Sequence, residues 1–454
     1  MNHNNYEYEK WKKLYGIDRR KELAYLFIEL TTKCNLFCEH CASNCGKADE
    51  SELTTEQWKA FLKHIREHFE SRSITLCVTG GEPMLRTDFY EIMKYAQRQG
   101  LKWGMTTNGT LITEDDVPKL VHSGMKTVSI SVDGLEEYHD QFRHSKGSFQ
   151  KAINALKLLG ACWDFETVQA TTVVTKDNIG QLPELYELFK RIKLRDWRIT
   201  NVDPSGRAKN SKKLLDADDF LTLFDFIENL RRDNKIHVQY GCSHYVPQRF
   251  KYNLRDSIAY NCGAGKFVAS VLSNGDIFSC LDIERRPELI QGNILKDDFL
   301  TVWENGFKEF HGITRCSKSP VCSKCDNSAL CQGDSAHTWN YDTNVPEVCL
   351  FEMLKNKRLN AFGVCGKCGT KLFDDADYCH HCGTKRGQGD FNIYDYDPRG
   401  MQTLYGPPPR KHVFTCKKCG KTWDEFLMDV PRGEACPNCG SGIEELSIDE
   451  TDIW

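Results

Sequence analysis

Most of the chain's 22 cysteines stand in tight groups, and no other sequence feature constrains the fold so strongly. Cys34-x3-Cys38-x2-Cys41 comes first, and Cys322-x2-Cys325-x5-Cys331 lies in the second half. Four C-x2-C pairs follow, starting at Cys365, Cys379, Cys416 and Cys436. Grouped thiols are disulfide frameworks in oxidising compartments and metal ligands in reducing ones. The stretch MNHNNYEYEKWKKLYG has no apolar centre that could act as a signal peptide. No run approaches the ~20 apolar residues needed to span a bilayer. A cytoplasmic location is therefore expected, and with it metal ligation. Cys77 and Cys162 stand alone in apolar runs and read as small buried residues. The net charge of −4 offers no bulk attraction to nucleic acid or an anionic membrane, and neither is expected as a partner.

The 454 residues leave room for two or three domains. From about residue 23 to 240, strand-like runs alternate with helical patterns. Apolar strands are predicted at 23–30, 73–80, 101–108, 126–133, 165–174 and 195–200, and Trp58, Phe61, Leu62, Ile65 and Phe69 recur at helical spacing. Repeated β–α units predict a parallel sheet covered by helices, either a partial barrel of about six units or a doubly wound sheet. In both, ligands sit where the C-terminal ends of strands meet the loops. After residue 240 the alternation stops. Residues 266–280 read as a hairpin turning at Asn274–Gly275, and the cysteine-rich part that follows is expected to depend on metal more than on a large core. Residues 387–411, with Pro407, Pro408 and Pro409, read as a linker.

Cys34, Cys38 and Cys41 follow directly on the first strand. Three thiolates within eight residues can grip three corners of an iron–sulfur cubane and leave one iron open. A three-cysteine zinc site is the rival reading. Cys45 reads as a spectator.

Here the sequence resembles the radical S-adenosylmethionine (SAM) superfamily, whose C-x3-C-x2-C signature follows the first strand. Other matches come in register. Thr79-Gly80-Gly81-Glu82-Pro83, after the second strand, resembles the family's GGEP motif, whose loop holds the methionine amino group. Thr106-Thr107-Asn108-Gly109 follows the third strand. Ser131-Val132-Asp133-Gly134 follows the fourth, where the family contacts the cofactor ribose. Arg143 resembles a position that pairs with the cofactor carboxylate. The resemblance implies a partial (β/α)6 TIM-like barrel over 23–240, after an N-terminal segment of residues 1–22. It implies a [4Fe–4S] cluster on Cys34, Cys38 and Cys41, with Gly80, Gly81, Glu82, Asn108, Ser131, Asp133 and Arg143 around S-adenosylmethionine. The activity implied is reductive cleavage of that cofactor to a 5′-deoxyadenosyl radical, which abstracts hydrogen from a substrate. An electron donor such as flavodoxin or ferredoxin is implied as a partner.

Cys262, Gly275-x4-Cys280, Cys322, Cys325, Cys331 and Cys349 resemble the SPASM extension of such enzymes, assigned to 241–356, which carries one or two auxiliary [4Fe–4S] clusters. The resemblance places Cys322, Cys325, Cys331 and Cys349 on one cluster and Cys262 and Cys280 on the other. The family's next cysteine after Cys331 is missing, for the sequence reads Gln332-Gly333-Asp334-Ser335. Cys316, Asp334 or the more distant Cys242 could complete the second set, or that cluster has an open iron or is absent.

Cys365, Cys368, Cys379 and Cys382, and then Cys416, Cys419, Cys436 and Cys439, each supply four thiolates in paired C-x2-C knuckles, the spacing of a tetrahedral zinc site. They resemble zinc ribbons, at 360–386 and at 412–454 with an acidic tail, and imply two Zn2+. Docking of a partner or substrate protein is the expected role. Lys411, Lys417, Lys418 and Lys421 form only a modest basic cluster.

Three readings of function stay open. The first is an enzyme acting on a peptide or protein, a maturase of a ribosomally made peptide. The second is modification of a small molecule, a carbohydrate or porphyrin. The third is a non-catalytic iron–sulfur or zinc scaffold.

Overall fold

The structure, a computed structural model, describes residues 23–49, 51–69, 74–241, 244–246, 260, 262–325, 327–355, 410–419, 422–427 and 446–450. Its centre is a ten-stranded sheet. Seven of the strands run parallel in sequence order: β1 (Tyr25–Glu29), β2 (Thr75–Thr79), β3 (Lys102–Thr107), β4 (Met125–Ser131), β5 (Thr167–Val174), β6 (Asp196–Asn201) and β7 (His237–Tyr240). Every residue of β1 is buried, as a continuous apolar run covered on both faces requires. Helices join the strands. The first, α1 (Thr55–His68), starts at a capping box formed by Thr54 and Gln57 and buries Trp58, Phe61, Leu62 and Ile65. The six expected strands are all present. The seventh, β7, has only four residues, and its His237 is exposed, so it carries little apolar signal.

The hairpin after residue 260 joins the extension to the sheet. Its strands β8 (Val268–Val271) and β9 (Asp276–Phe278) turn at Gly275, whose φ of +90° suits glycine. But β8 also pairs in parallel with β1, with Tyr25 opposite Val268, so the sheet crosses the expected boundary at 240. β10 (Gly292–Asn293) ends that side of the sheet. Phe299, Trp303, Phe307 and Phe310 are buried in the same apolar core as β1 and β2. Burial therefore holds this part of the extension to the sheet, whatever metal adds.

A second, three-stranded antiparallel sheet has β11 (Arg410–Cys416) between β12 (Thr422–Leu427) and β13 (Leu446–Glu450). The knuckle cysteines Cys365, Cys368, Cys379, Cys382, Cys436 and Cys439, residues 1–22 and Cys242 lie outside the described residues. Among the described residues, no helix is long and apolar enough to cross a membrane.

Candidate functional site

A cavity of about 280 Å³ opens at the C-terminal ends of the parallel strands. Cys34, Cys38, Cys41 and Cys45 lie on one side of it. Their loop leaves β1 and is pinned at its base, where Cys34 N–H donates to the Gly46 carbonyl and Gly46 N–H to the Thr32 carbonyl, both at 2.9 Å. Burial pushes the Cys34 thiol up to about 11, and burial also raises Cys38. Cys41 is held down at about 6, chiefly by its interaction with the neighbouring Cys45 side chain. Cys45 itself is buried, with its thiol directed at the Ser43 carbonyl at 3.8 Å.

The loop after β2 packs directly on this cysteine loop. A Cβ on Gly81 would stand 2.2 Å from the Lys33 carbonyl oxygen and 2.9 Å from the Cys34 Cβ, so only glycine fits. Thr79, Gly80 and Gly81 line the cavity. Glu82 does not. It is fully buried behind the wall, where it accepts from Thr107 Oγ1 and from Asn108 N–H, each at 2.9 Å. Burial outweighs those bonds and pushes its carboxyl up to about 7.

Asn108, Ser131 and Arg143 line the cavity. Asp133 sits behind them, buried, and accepts from Arg143 Nε at 2.7 Å and Val173 N–H at 3.0 Å. Burial works against the Asp133 charge, but Arg143, His40 and His139 more than offset it and lower its pKa. Arg143 also points Nη1 at the Cys38 sulfur, 3.6 Å away. The expected site residues therefore divide into cavity-lining ones and a buried pair, Glu82 and Asp133, that braces them.

Sequence reasoning missed the opposite wall. Asp203, just past β6, lines the cavity with Arg198, Asp282 and His337. Asp203 accepts from His337 Nε2 at 3.0 Å and is paired at the same distance with His244 Nε2. Burial opposes both charges of the Asp203–His244 pair, yet their attraction prevails. It lowers Asp203 well below the usual carboxylate range and lifts His244 to about 9. Position at a strand end could have flagged Asp203. Nothing in the sequence ties it to His337, more than a hundred residues away.

The second group of cysteines gathers nearby. Cys316 and Cys322 lie side by side, and their interaction raises the Cys316 thiol and holds Cys322 down at about 6. Cys322, Cys331 and Cys349 lie within one another's electrostatic reach and within that of Asp334. Asp334 Oδ1 accepts from Tyr245 N–H and Ser335 N–H, both at 2.8 Å, and its other oxygen faces His244 Nδ1 at 3.5 Å. Cys262, which accepts from Ala336 N–H at 3.4 Å, shares the surroundings of Tyr341 with Cys280. Cys316, a candidate to complete the Cys262–Cys280 set, is buried and lies beside Cys322.

Among the described residues, no three His, Cys, Asp or Glu side chains close on a single metal ion. A cubane is gripped at separate corners, so its thiolates stand further apart. Cys34, Cys38 and Cys41 fit that demand. Each feels the others' charge, and all three border one cavity. The same cavity carries two buried polar atoms without a partner, His40 Nδ1 and Thr106 Oγ1, as a wall built for a polar ligand would.

Fold and site together define an α/β protein that gathers three thiols around one cavity at its strand ends. The family model of the Radical SAM superfamily matches residues 28–189, and that of the SPASM iron–sulfur cluster-binding domain matches residues 262–326. The mycofactocin maturase MftC of Mycobacterium tuberculosis is 31% identical over 309 residues, 67% of this chain and 76% of the relative. The AdoMet-dependent heme synthase of Methanosarcina barkeri is 29% identical over 328 residues, 68% of this chain and 90% of the relative. In fold, the chain resembles native anSMEcpe with bound AdoMet, with a TM-score of 0.58 at 21% identity, covering 73% of this chain and 95% of that one. It likewise resembles Streptococcus suis SuiB bound to S-adenosylmethionine, with a TM-score of 0.57 at 20% identity, covering 71% and 75%. The chain belongs to the radical SAM superfamily and is an enzyme with a SPASM domain. Its cofactors are S-adenosylmethionine and [4Fe–4S] clusters, which supply the radical chemistry while the protein binds, orients and shields.

Proposed function

We propose that this enzyme modifies a peptide or protein substrate, as a maturase. The observation that carries the reading is the 31% identity to a maturase, MftC, over 309 residues. Two solved proteins of the same fold are also described with peptides, SuiB with its precursor peptide SuiA and anSMEcpe with the Cp18Cys peptide. In this reading Cys34, Cys38 and Cys41 hold the cluster that meets S-adenosylmethionine. Gly80, Gly81, Asn108, Ser131 and Arg143 face that cofactor, and Glu82 and Asp133 brace them. Cys322, Cys325, Cys331 and Cys349 hold an auxiliary cluster with Cys316 beside Cys322 at its edge, and Cys262 and Cys280 belong to a second.

The ribbons complete the proposal. β11 ends at Cys416 and the turn to β12 carries the exposed Cys419, an arrangement that suits a zinc knuckle. Two Zn2+ bound by the eight knuckle cysteines would hold modules that dock the substrate. The enzyme works in the cytoplasm, with a flavodoxin or ferredoxin as electron donor.

A second reading rests on the heme synthases, one of which is matched over 90% of its length, and takes a porphyrin as substrate. Reduced, reconstituted enzyme should form 5′-deoxyadenosine from S-adenosylmethionine. A candidate precursor peptide should then speed that formation and change in mass. Stimulation by an iron porphyrin and by no peptide would replace the first reading with the second.

A further inference from the structure

Arg207 lies far along the chain from the cysteine loop yet holds more of that loop than any nearer residue described above. It follows β6 in a short turn, Gly206–Ala208. Its Nε donates to the Cys38 carbonyl at 2.7 Å, and its Nη1 donates to the Cys45 carbonyl at 2.9 Å and to Asn44 Oδ1 at 3.1 Å. Its backbone N–H donates to the Cys41 carbonyl at 3.1 Å. The guanidinium lies over the ring of Phe37, 4.1 Å from its centre. One residue thus takes the carbonyls of Cys38, Cys41 and Cys45. The planar fork of arginine suits this task, because its donors leave at fixed angles.

Gly206 makes the grip attainable. A Cβ there would stand 2.3 Å from the Cys41 carbonyl oxygen and 2.4 Å from that of Ala42, so the two backbones touch. Arg143 reaches the same loop from the other side, through its contact with Cys38.

We propose that Arg207 is the positioning residue of the cluster loop: from the end of β6 it fixes the spacing of Cys38 and Cys41 through their carbonyls. The inference rests on the reading that Cys34, Cys38 and Cys41 hold the cluster that meets S-adenosylmethionine. A loop left without this clamp must be ordered by the cluster itself, so retention of iron is the property most exposed to its loss. Partners that orient metal ligands typically account for about 10–100-fold in metal affinity.

The test uses full-length enzyme reconstituted anaerobically with iron and sulfide. Four variants are compared with the wild type: Arg207→Gln, Arg207→Lys, Gly206→Ala and the Cys34/Cys38/Cys41 triple alanine. The readouts are the rate at which a chelator removes iron and the part of the reduced electron paramagnetic resonance signal that changes when S-adenosylmethionine is added. The triple variant defines zero for that signal. Loss of a SAM-responsive signal in the triple variant locates the cluster on these cysteines, whatever Arg207 does. Arg207→Gln should lose the responsive cluster about 10-fold faster than the wild type, with Arg207→Lys between them. Gly206→Ala, which displaces the loop while keeping the arginine, should behave like Arg207→Gln. Wild-type iron loss in Arg207→Gln with an undiminished SAM-responsive signal would overturn the proposal. So would equal losses in melting temperature for Arg207→Gln and Arg207→Lys with that signal intact.

Discussion

Arg143 clamps a single oxygen of Asp133 with two nitrogens, each at 2.7 Å, in a place where neither side chain meets appreciable solvent. Removing one partner leaves the other's charge buried and alone, which costs about 3–5 kcal/mol. Asp133→Ala should therefore lower the urea midpoint strongly, and Asp133→Asn, which keeps an acceptor, should lower it less. An Asp133→Ala loss below about 1 kcal/mol, the scale of an exposed pair, would mean that the ion pair is solvated in solution.

Glu82 joins the loop after β2 to the end of β3 through Thr107 and Asn108. Glu82→Ala strips the acceptor from both donors, and each unsatisfied buried group costs about 1–3 kcal/mol. Hydrogen exchange at the Asn108 amide should rise well beyond the change at β7. Uniform acceleration across the sheet would point instead to global destabilisation.

Gly81→Ala places a carbon where the Lys33 carbonyl already stands. Overpacking of this kind typically costs about 1–3 kcal/mol. The protein should still fold, but with the Cys34 segment pushed aside. Iron uptake at the first site should fall while the auxiliary clusters assemble normally, as iron analysis and the SAM-responsive signal would report.

The sheet was legible in the sequence because strand-like runs alternate with helical patterns, most plainly at the wholly buried YLFIE of β1. β7 was not, because His237 and Gln239 interrupt its pattern. The cysteine loop and Gly81 could be read from local spacing. The wall of Asp203, His337 and Asp282 could not, since only tertiary folding brings residues from three parts of the chain to one cavity. Cys316 was legible as a thiol close to the auxiliary ligands, but its place beside Cys322 comes from the turn of the intervening chain and not from spacing.

Acidity should act on stability through His139. Burial holds this histidine down at about 4, from the usual 6.5, and its Nδ1 accepts from Asp133 N–H at 3.2 Å. Between those values the unfolded chain takes up a proton that the folded protein refuses, so stability falls as pH drops from about 6.5 towards 4. A shift of this size corresponds to about 3 kcal/mol when fully expressed. His139→Asn retains an acceptor for Asp133 N–H but cannot titrate. Its unfolding free energy should vary less over that range, and a slope equal to the wild type's would assign the acid sensitivity elsewhere.

Iron analysis of the Cys34/Cys38/Cys41 triple alanine variant should show the loss of one cluster and no 5′-deoxyadenosine, with the remaining iron unchanged. Full iron content in that variant would place every cluster in the extension.

The pairing of β8 with β1 has a consequence for the history and handling of the chain. A chain cut after residue 241 would leave β1, a wholly buried strand, with a bare row of amides and carbonyls along one side. Such an edge recruits other copies of itself. The extension therefore serves as the sheet's selvedge, and fragments lacking it should be recovered as aggregates, however faithfully their cofactor motifs are preserved.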